Sequence, residues 1–108
     1  IALAEALAIA RRVGVDGKVL FETLAKGSAD SFALRNHGMK AMLPGEFPER
    51  AFSTEYMLKD LRYALDLASE TGVEMPGARN AHALLSEAIA AGFGKAYWPV
   101  VCRVVDRD

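Results

Sequence analysis

Histidine and cysteine, the side chains most ready to attack, ligate or transfer a proton near neutral pH, are scarce in this 108-residue chain. The two histidines are His37 and His82. Neither has a cysteine, a second histidine or a paired carboxylate at metal-ligand spacing, so both are expected in structural or solvent-facing roles and no metal site is expected. His82 falls at the edge of its helix's apolar face. Cys102, the single cysteine, lies among Val100, Val101, Val104 and Val105, the setting of an inert buried thiol. Ser28 and Ser31 stand beside Gly27, and the helix-forming residues that follow favour capping over anion binding. No G-x-G-x-x-G, Walker A or nucleophile-elbow pattern occurs.

One cluster stands apart, the run from Ala51 to Leu61. Stepping residues by 100° puts Lys59 almost opposite its helix's main apolar stripe and Asp60 at the boundary between two apolar strips. Phe52 precedes the helix start, where it can act as a hydrophobic staple against Tyr56 or Met57. By pattern alone these are a solvated lysine, a local ion pair and a staple.

The elements that must hold these residues are read from punctuation. Alanine- and leucine-rich stretches, strong helix formers, alternate with glycines and prolines. A first helix over Ile1–Val13 turns Leu3, Leu7 and Ala10 to one face, places Arg11 and Arg12 at its dipole-favoured end and stops at Gly14. Asp16 caps a short second helix that Gly27 closes. Ser28, Asp30 or Ser31 caps a third through Phe32, Leu34 and Met39, weakened near its end by Gly38. Pro44–Arg50 is a loop. The longest helix, Thr54–Thr71, is capped by Ser53 and ended by Gly72. Its expected core stripe is Met57, Leu58, Leu61, Ala64, Leu65 and Ala68, with Tyr56, Tyr63 and Leu67 as a weaker second strip. That strip either packs as core against the first helix or forms an interface, and a homodimer or higher homo-oligomer is the expected outcome. Pro76 opens a fifth helix whose inner face is Ala78, Ala81, Leu84, Leu85, Ala88 and Ile89, ended by Gly92. The valine-rich tail has strand-like composition, but a lone strand has no partner, so Pro99 is read as the first turn of a sixth helix. The expectation is an all-α, compact bundle of about six helices in one domain, residues 1–108.

Composition bounds the rest. With 52% hydrophobic residues, a chain this long buries roughly 65% of its unfolded surface, enough for one core. A net charge of −1 with interleaved signs leaves no basic footprint for nucleic acid. No apolar run reaches the roughly 18 residues of a membrane span. The chain opens at Ile1-Ala2-Leu3-Ala4-Glu5, already helical in pattern and without Met, which is read as part of a larger protein whose helix continues upstream.

Taken in order, several pieces resemble the C-terminal domain of the β-hydroxyacid dehydrogenases, the 3-hydroxyisobutyrate dehydrogenase and tartronate semialdehyde reductase relatives within the 6-phosphogluconate dehydrogenase-like enzymes. They are Glu5-Ala6-Leu7-Ala8, Gly14-Val15-Asp16, Gly27 through Leu34, Phe52 through Met57-Leu58-Lys59-Asp60-Leu61, and Gly72-Val73-Glu74-Met75-Pro76. The phenylalanine followed at that distance by Lys-Asp-Leu is the most specific part, and the likeness spans about residues 2–95.

The resemblance implies an NAD(P)-dependent oxidoreductase that interconverts a small 3-hydroxy acid and its semialdehyde by hydride transfer. An N-terminal Rossmann domain would bind most of the NAD or NADP. The catalytic lysine and an asparagine one turn later would lie upstream on the linker helix, so this chain alone is expected to be inactive. Lys59 would reach toward the nicotinamide end of the cofactor and Phe52 would wall that pocket. Asp60, Ser31 and Phe32 would support the substrate side. A cytoplasmic or, in a eukaryote, mitochondrial location follows from the same likeness. Two departures stand out: Phe32 replaces a common Trp, and Gly92-Phe93-Gly94-Lys95-Ala96-Tyr97-Trp98 replaces a Gly-x-Gly-Asp run with a further acid. The competing reading is a non-enzymatic helical dimerisation module on the same scaffold.

Overall fold

The computed structural model describes residues 1–107 and contains six helical segments. Helix α1 spans Ala2–Arg12 and α2 spans Gly17–Leu24. A π-helix follows over Leu34–Met42. Helix α3 spans Thr54–Thr71, and α4 spans Pro76–Ala88 and runs on into a π-turn, Ile89–Phe93. A 3₁₀ turn, Trp98–Val101, leads directly into α5, Cys102–Val105. The valine-rich tail is therefore helical, and Pro99 sits in its first turn, where a missing N–H costs nothing.

Local chemistry explains most boundaries. Asp16 caps α2 by accepting from the Lys18 N–H at 2.7 Å. Ser53 caps α3 by accepting from the Tyr56 N–H at 3.2 Å. Gly72 ends α3 with φ at 71°, a left-handed conformation that favours glycine. Helix α2 stops at Leu24, earlier than Gly27, because a run of tight turns takes over there.

The main core gathers Leu7, Phe21, Leu34, Met42 and Cys102, with Ala4 filling the gap between them. It joins α1, α2, the π-helix and α5. Gly38 lies at its centre and not at a weakened helix end. A Cβ there would come within 3.1 Å of the Phe21 ring, so glycine is what lets the π-helix approach α2 so closely. A second, smaller core sets Leu58 of α3 against Leu85 of α4 and Val101. The C-terminal residues are tied back to the end of α1 and to α4 as well. Asp106 takes Arg12 at 2.7 Å and Arg11 at 3.5 Å, and Arg107 forks onto Glu87 at 2.6 and 2.7 Å.

Helix α3 is less buried than its pattern predicts. Leu58 and Ala68 are buried, Met57, Leu61 and Leu65 are half-buried, and Ala64 is exposed. The helix packs mainly on α4 and the 3₁₀ turn, so only a narrow line of its surface is covered. Tyr56, Tyr63 and Leu67 are each about 60% exposed, which rules out their packing as core against α1.

Phe21 is fully buried where three elements meet. Phe21→Ala is expected to cost about 3–5 kcal/mol. Urea denaturation should show a lower midpoint with an unchanged slope.

Candidate functional site

The candidate site is built around the start of α3. The first N–H groups of a helix have no partner within it. Here they are taken up by the segment preceding α5. The Thr54 N–H donates to the Ala96 carbonyl at 2.9 Å, and the Glu55 N–H donates to that of Gly94 at 3.0 Å. The Thr54 hydroxyl also donates to Ala96, at 3.0 Å, and the Tyr56 N–H goes to the Ser53 hydroxyl. The Trp98 N–H donates to the Phe52 carbonyl at 3.0 Å, and Ser53 and Tyr97 form an antiparallel bridge. This strap fixes the direction in which α3 leaves the loop.

From that start the α3 side chains form a row. The Phe52 and Tyr56 rings lie 6.0 Å apart, so the staple reaches Tyr56. The Lys59 ammonium sits 4.8 Å above the Tyr56 ring and 6.0 Å from that of Tyr63. Its side chain is 47% exposed, on the face the periodicity predicts. Asp60 stands 3.8 Å away, an ion-pair separation beyond hydrogen-bond reach, which leaves the lysine's donors open to a ligand. Asp60 itself is exposed.

Ser31 and Phe32 lie elsewhere, at the start of the π-helical segment. The Ser31 hydroxyl accepts from the Leu34 N–H at 3.0 Å, so it is a cap. Phe32 is 74% exposed and meets the His37 ring edge-on at 5.9 Å. No ring contact joins Phe32 directly to Phe52 among the described residues.

Three residues to which the sequence assigned no place in the site connect the two groups. His37 packs against Trp98, with centroids 4.6 Å apart, and its Nδ1 lies 2.5 Å from the Tyr97 hydroxyl. Tyr97 and Trp98 belong to the strap that holds Phe52. Ring contacts thus run from Phe32 through His37 to Tyr97 and Trp98, and the backbone bond from Trp98 to Phe52 links them to the second row, Phe52, Tyr56 and Lys59. Partial burial pushes the His37 pKa below its ordinary 6.5 and that of Tyr97 above 10.0. The available signal was the aromatic pair Tyr97-Trp98 within the run, Gly92–Trp98, that departs from the resembled family's pattern. Phe32 and His37 are five residues apart, a spacing that an α-helical reading does not align.

Cys102 is buried and burial raises its thiol pKa. His82 is half-buried on α4. Among the described residues no group of three or more His, Cys, Asp or Glu is placed to hold a metal ion, and no helix is long and apolar enough to cross a membrane.

The family model described as NAD-binding of NADP-dependent 3-hydroxyisobutyrate dehydrogenase matches residues 1–102. The chain belongs to this dehydrogenase family. It is 35% identical over 92 residues to the uncharacterized oxidoreductase YkwC of Bacillus subtilis, covering 85% of this chain and 31% of that protein. It is 32% identical over 107 residues to a probable 3-hydroxyisobutyrate dehydrogenase-like 2, mitochondrial, of Arabidopsis thaliana, covering 99% of this chain and 34% of that protein. The crystal structure of a 3-hydroxyisobutyrate dehydrogenase from Salmonella typhimurium superposes with a TM-score of 0.86 at 27% identity, over 95% of this chain and 35% of that one. The chain thus spans about a third of the length of these relatives.

The lowered His37 pKa has a consequence for stability. The unfolded state binds a proton more readily than the folded state, so stability is full above about pH 6.5 and is lost as pH falls through that value toward the folded pKa. His37→Phe should flatten this slope, measured by urea unfolding between about pH 7.5 and 5.

Proposed function

We propose that this chain is the helical C-terminal domain of an NAD(P)-dependent β-hydroxyacid dehydrogenase that interconverts a small 3-hydroxy acid and its semialdehyde. The observation that carries this reading is the Phe52–Tyr56–Lys59 row, a cation with open donors beside flat apolar rings, in a chain of this family. Such a set fits a dinucleotide's ribose or phosphate oxygens and the edge of a nicotinamide ring. The cofactor supplies the hydride, and the protein supplies placement and charge. Lys59 donates to cofactor oxygens, Phe52 walls the same pocket, and Ser31 and Phe32 border the hydroxy-acid side. Asp60 holds the lysine's local charge in balance. The cofactor's main site and the catalytic lysine lie in a Rossmann domain and linker helix outside this chain, so the chain alone turns over no hydroxy acid. The location, cytoplasm or mitochondrion, belongs to the same proposal.

Lys59→Ala in the complete enzyme is expected to weaken cofactor binding by about 1.5–3 kcal/mol, the worth of a charge-assisted hydrogen bond. The KM for NAD(P) should rise more than that for the hydroxy acid. Stability should change by under about 1 kcal/mol, since the lysine's own contact is an exposed cation–π pair. Steady-state kinetics with each substrate varied in turn checks this. An unchanged cofactor KM would reject the binding role.

A homodimer or higher homo-oligomer is part of the same reading. The exposed end of the α3 row, Tyr63 and Leu67, is apolar surface that an isologous helix contact would cover. Light scattering of the purified protein at tens of micromolar should give a mass of at least two chains, and a clean monomer would count against it.

A further inference from the structure

Among the described residues, the hydrogen bond between His37 and Tyr97 is the one side-chain bond that joins the two halves of the candidate site. His37 sits on the π-helix that carries Phe32 on its leading edge. Tyr97 sits in the strap, whose neighbouring backbone groups bond to Phe52, Thr54 and Glu55. The bond spans 60 positions of sequence and is half-buried, where its electrostatic strength is greater than in water. On one side of His37 is Phe32, and on the other is Trp98, whose N–H holds the Phe52 carbonyl. Any movement of the π-helix relative to the start of α3 must break or stretch this contact.

We propose that His37 and Tyr97 are a positioning pair that sets the width between the Phe32 edge and the Phe52–Lys59 row. Neither residue touches the reacting atoms. They act by holding the π-helix, and with it the Phe32 edge, against the strap at the start of α3. The proposal rests on the reading above, in which the α3 row faces cofactor and the Phe32 edge faces the hydroxy acid. Loosening the pair then lets the substrate edge drift from an α3 row that bound cofactor still holds. The hydroxy acid should suffer more than the cofactor, the reverse of Lys59→Ala.

Tyr97→Phe keeps the ring and removes the hydroxyl. His37→Phe keeps a ring against Phe32 and Trp98 and removes Nδ1. His37→Asn places an amide near the Nδ1 position and can restore the bond. Hydrogen exchange read by mass spectrometry in the complete enzyme reports the strap through peptides covering residues 52–58 and 93–99. Tyr97→Phe and His37→Phe should speed exchange there by about fivefold to tenfold, the worth of one net hydrogen bond, and His37→Asn should not. The KM for the hydroxy acid should rise by about tenfold in the first two variants, short of the roughly 100-fold that a 1 Å misplacement can cost. The KM for NAD(P) should stay within about twofold in both, and His37→Asn should recover the wild-type value for the hydroxy acid.

Unchanged exchange in the strap overturns the proposal. Faster exchange with both KM values unmoved, in an enzyme where Lys59→Ala still raises the cofactor KM, makes the pair a stability device and overturns the positioning role alone. If Lys59→Ala and Tyr97→Phe both leave KM unmoved, the reading of the α3 row fails and the positioning role fails with it.

Discussion

The structure depends on how the N-terminus of α3 is satisfied. A helix beginning at the protein surface presents orphan N–H groups that water or an anion would take up. In this chain the donors of Thr54 and Glu55 go to the Ala96 and Gly94 carbonyls, and that of Tyr56 goes to Ser53. This requires residues 94–98 to run back alongside residues 52–55. With glycine at position 94 the Glu55 carboxylate lies close against the strap backbone; a Cβ there would come within 2.6 Å of it and push this exposed side chain aside. Thr54 is completely buried in the junction. The segment leading into the last helix is thus part of the machinery that starts α3, 42 residues earlier.

This constraint bears on function. A helix N-terminus is a ready anion site only while its donors are free. Those of α3 are consumed by the strap, so this end of the helix offers no cradle for a dinucleotide's phosphates. Lys59 carries a positive charge on the exposed face of the same helix, and in the function proposed above it is this side chain that meets the cofactor. Its ammonium is held over the Tyr56 ring, which is itself packed on Phe52, so the cation's position is inherited from the strap. In the resembled family the turn before the last helix carries acids. Here the run Gly92–Trp98 replaces them, and its Tyr97 and Trp98 bind the turn to His37 by a hydrogen bond and a ring contact.

The burial of α3 shows where a periodic pattern misleads. Its apolar residues at 100° steps describe a wide stripe, yet Ala64 is exposed and Leu61 and Leu65 are only half-buried. Periodicity reports which residues share a face. It does not report how many neighbours will cover that face, and α3 lies at the edge with α4 as its main neighbour. The same limit left Tyr56, Tyr63 and Leu67 open to two readings until their exposure decided against core.

The sequence by itself determined the all-α class, the starts of α2 and α3, the end of α3 at Gly72, the opening of α4 at Pro76 and the outward face of Lys59. Each of these follows from local physics: a capping oxygen, a left-handed glycine, a proline without an N–H, a 100° step. The Phe-to-Lys-Asp-Leu spacing carried the family likeness as well. The tertiary structure alone decided the rest. The π-helix over Leu34–Met42 arises where Gly38 lets the backbone close on Phe21, and it brings Phe32 and His37 together across five residues. The pairing of His37 with Tyr97 and of Thr54 with Ala96 joins positions 60 and 42 residues apart. Nothing in local spacing encodes such contacts, because they exist only once separate helices have been packed against one another.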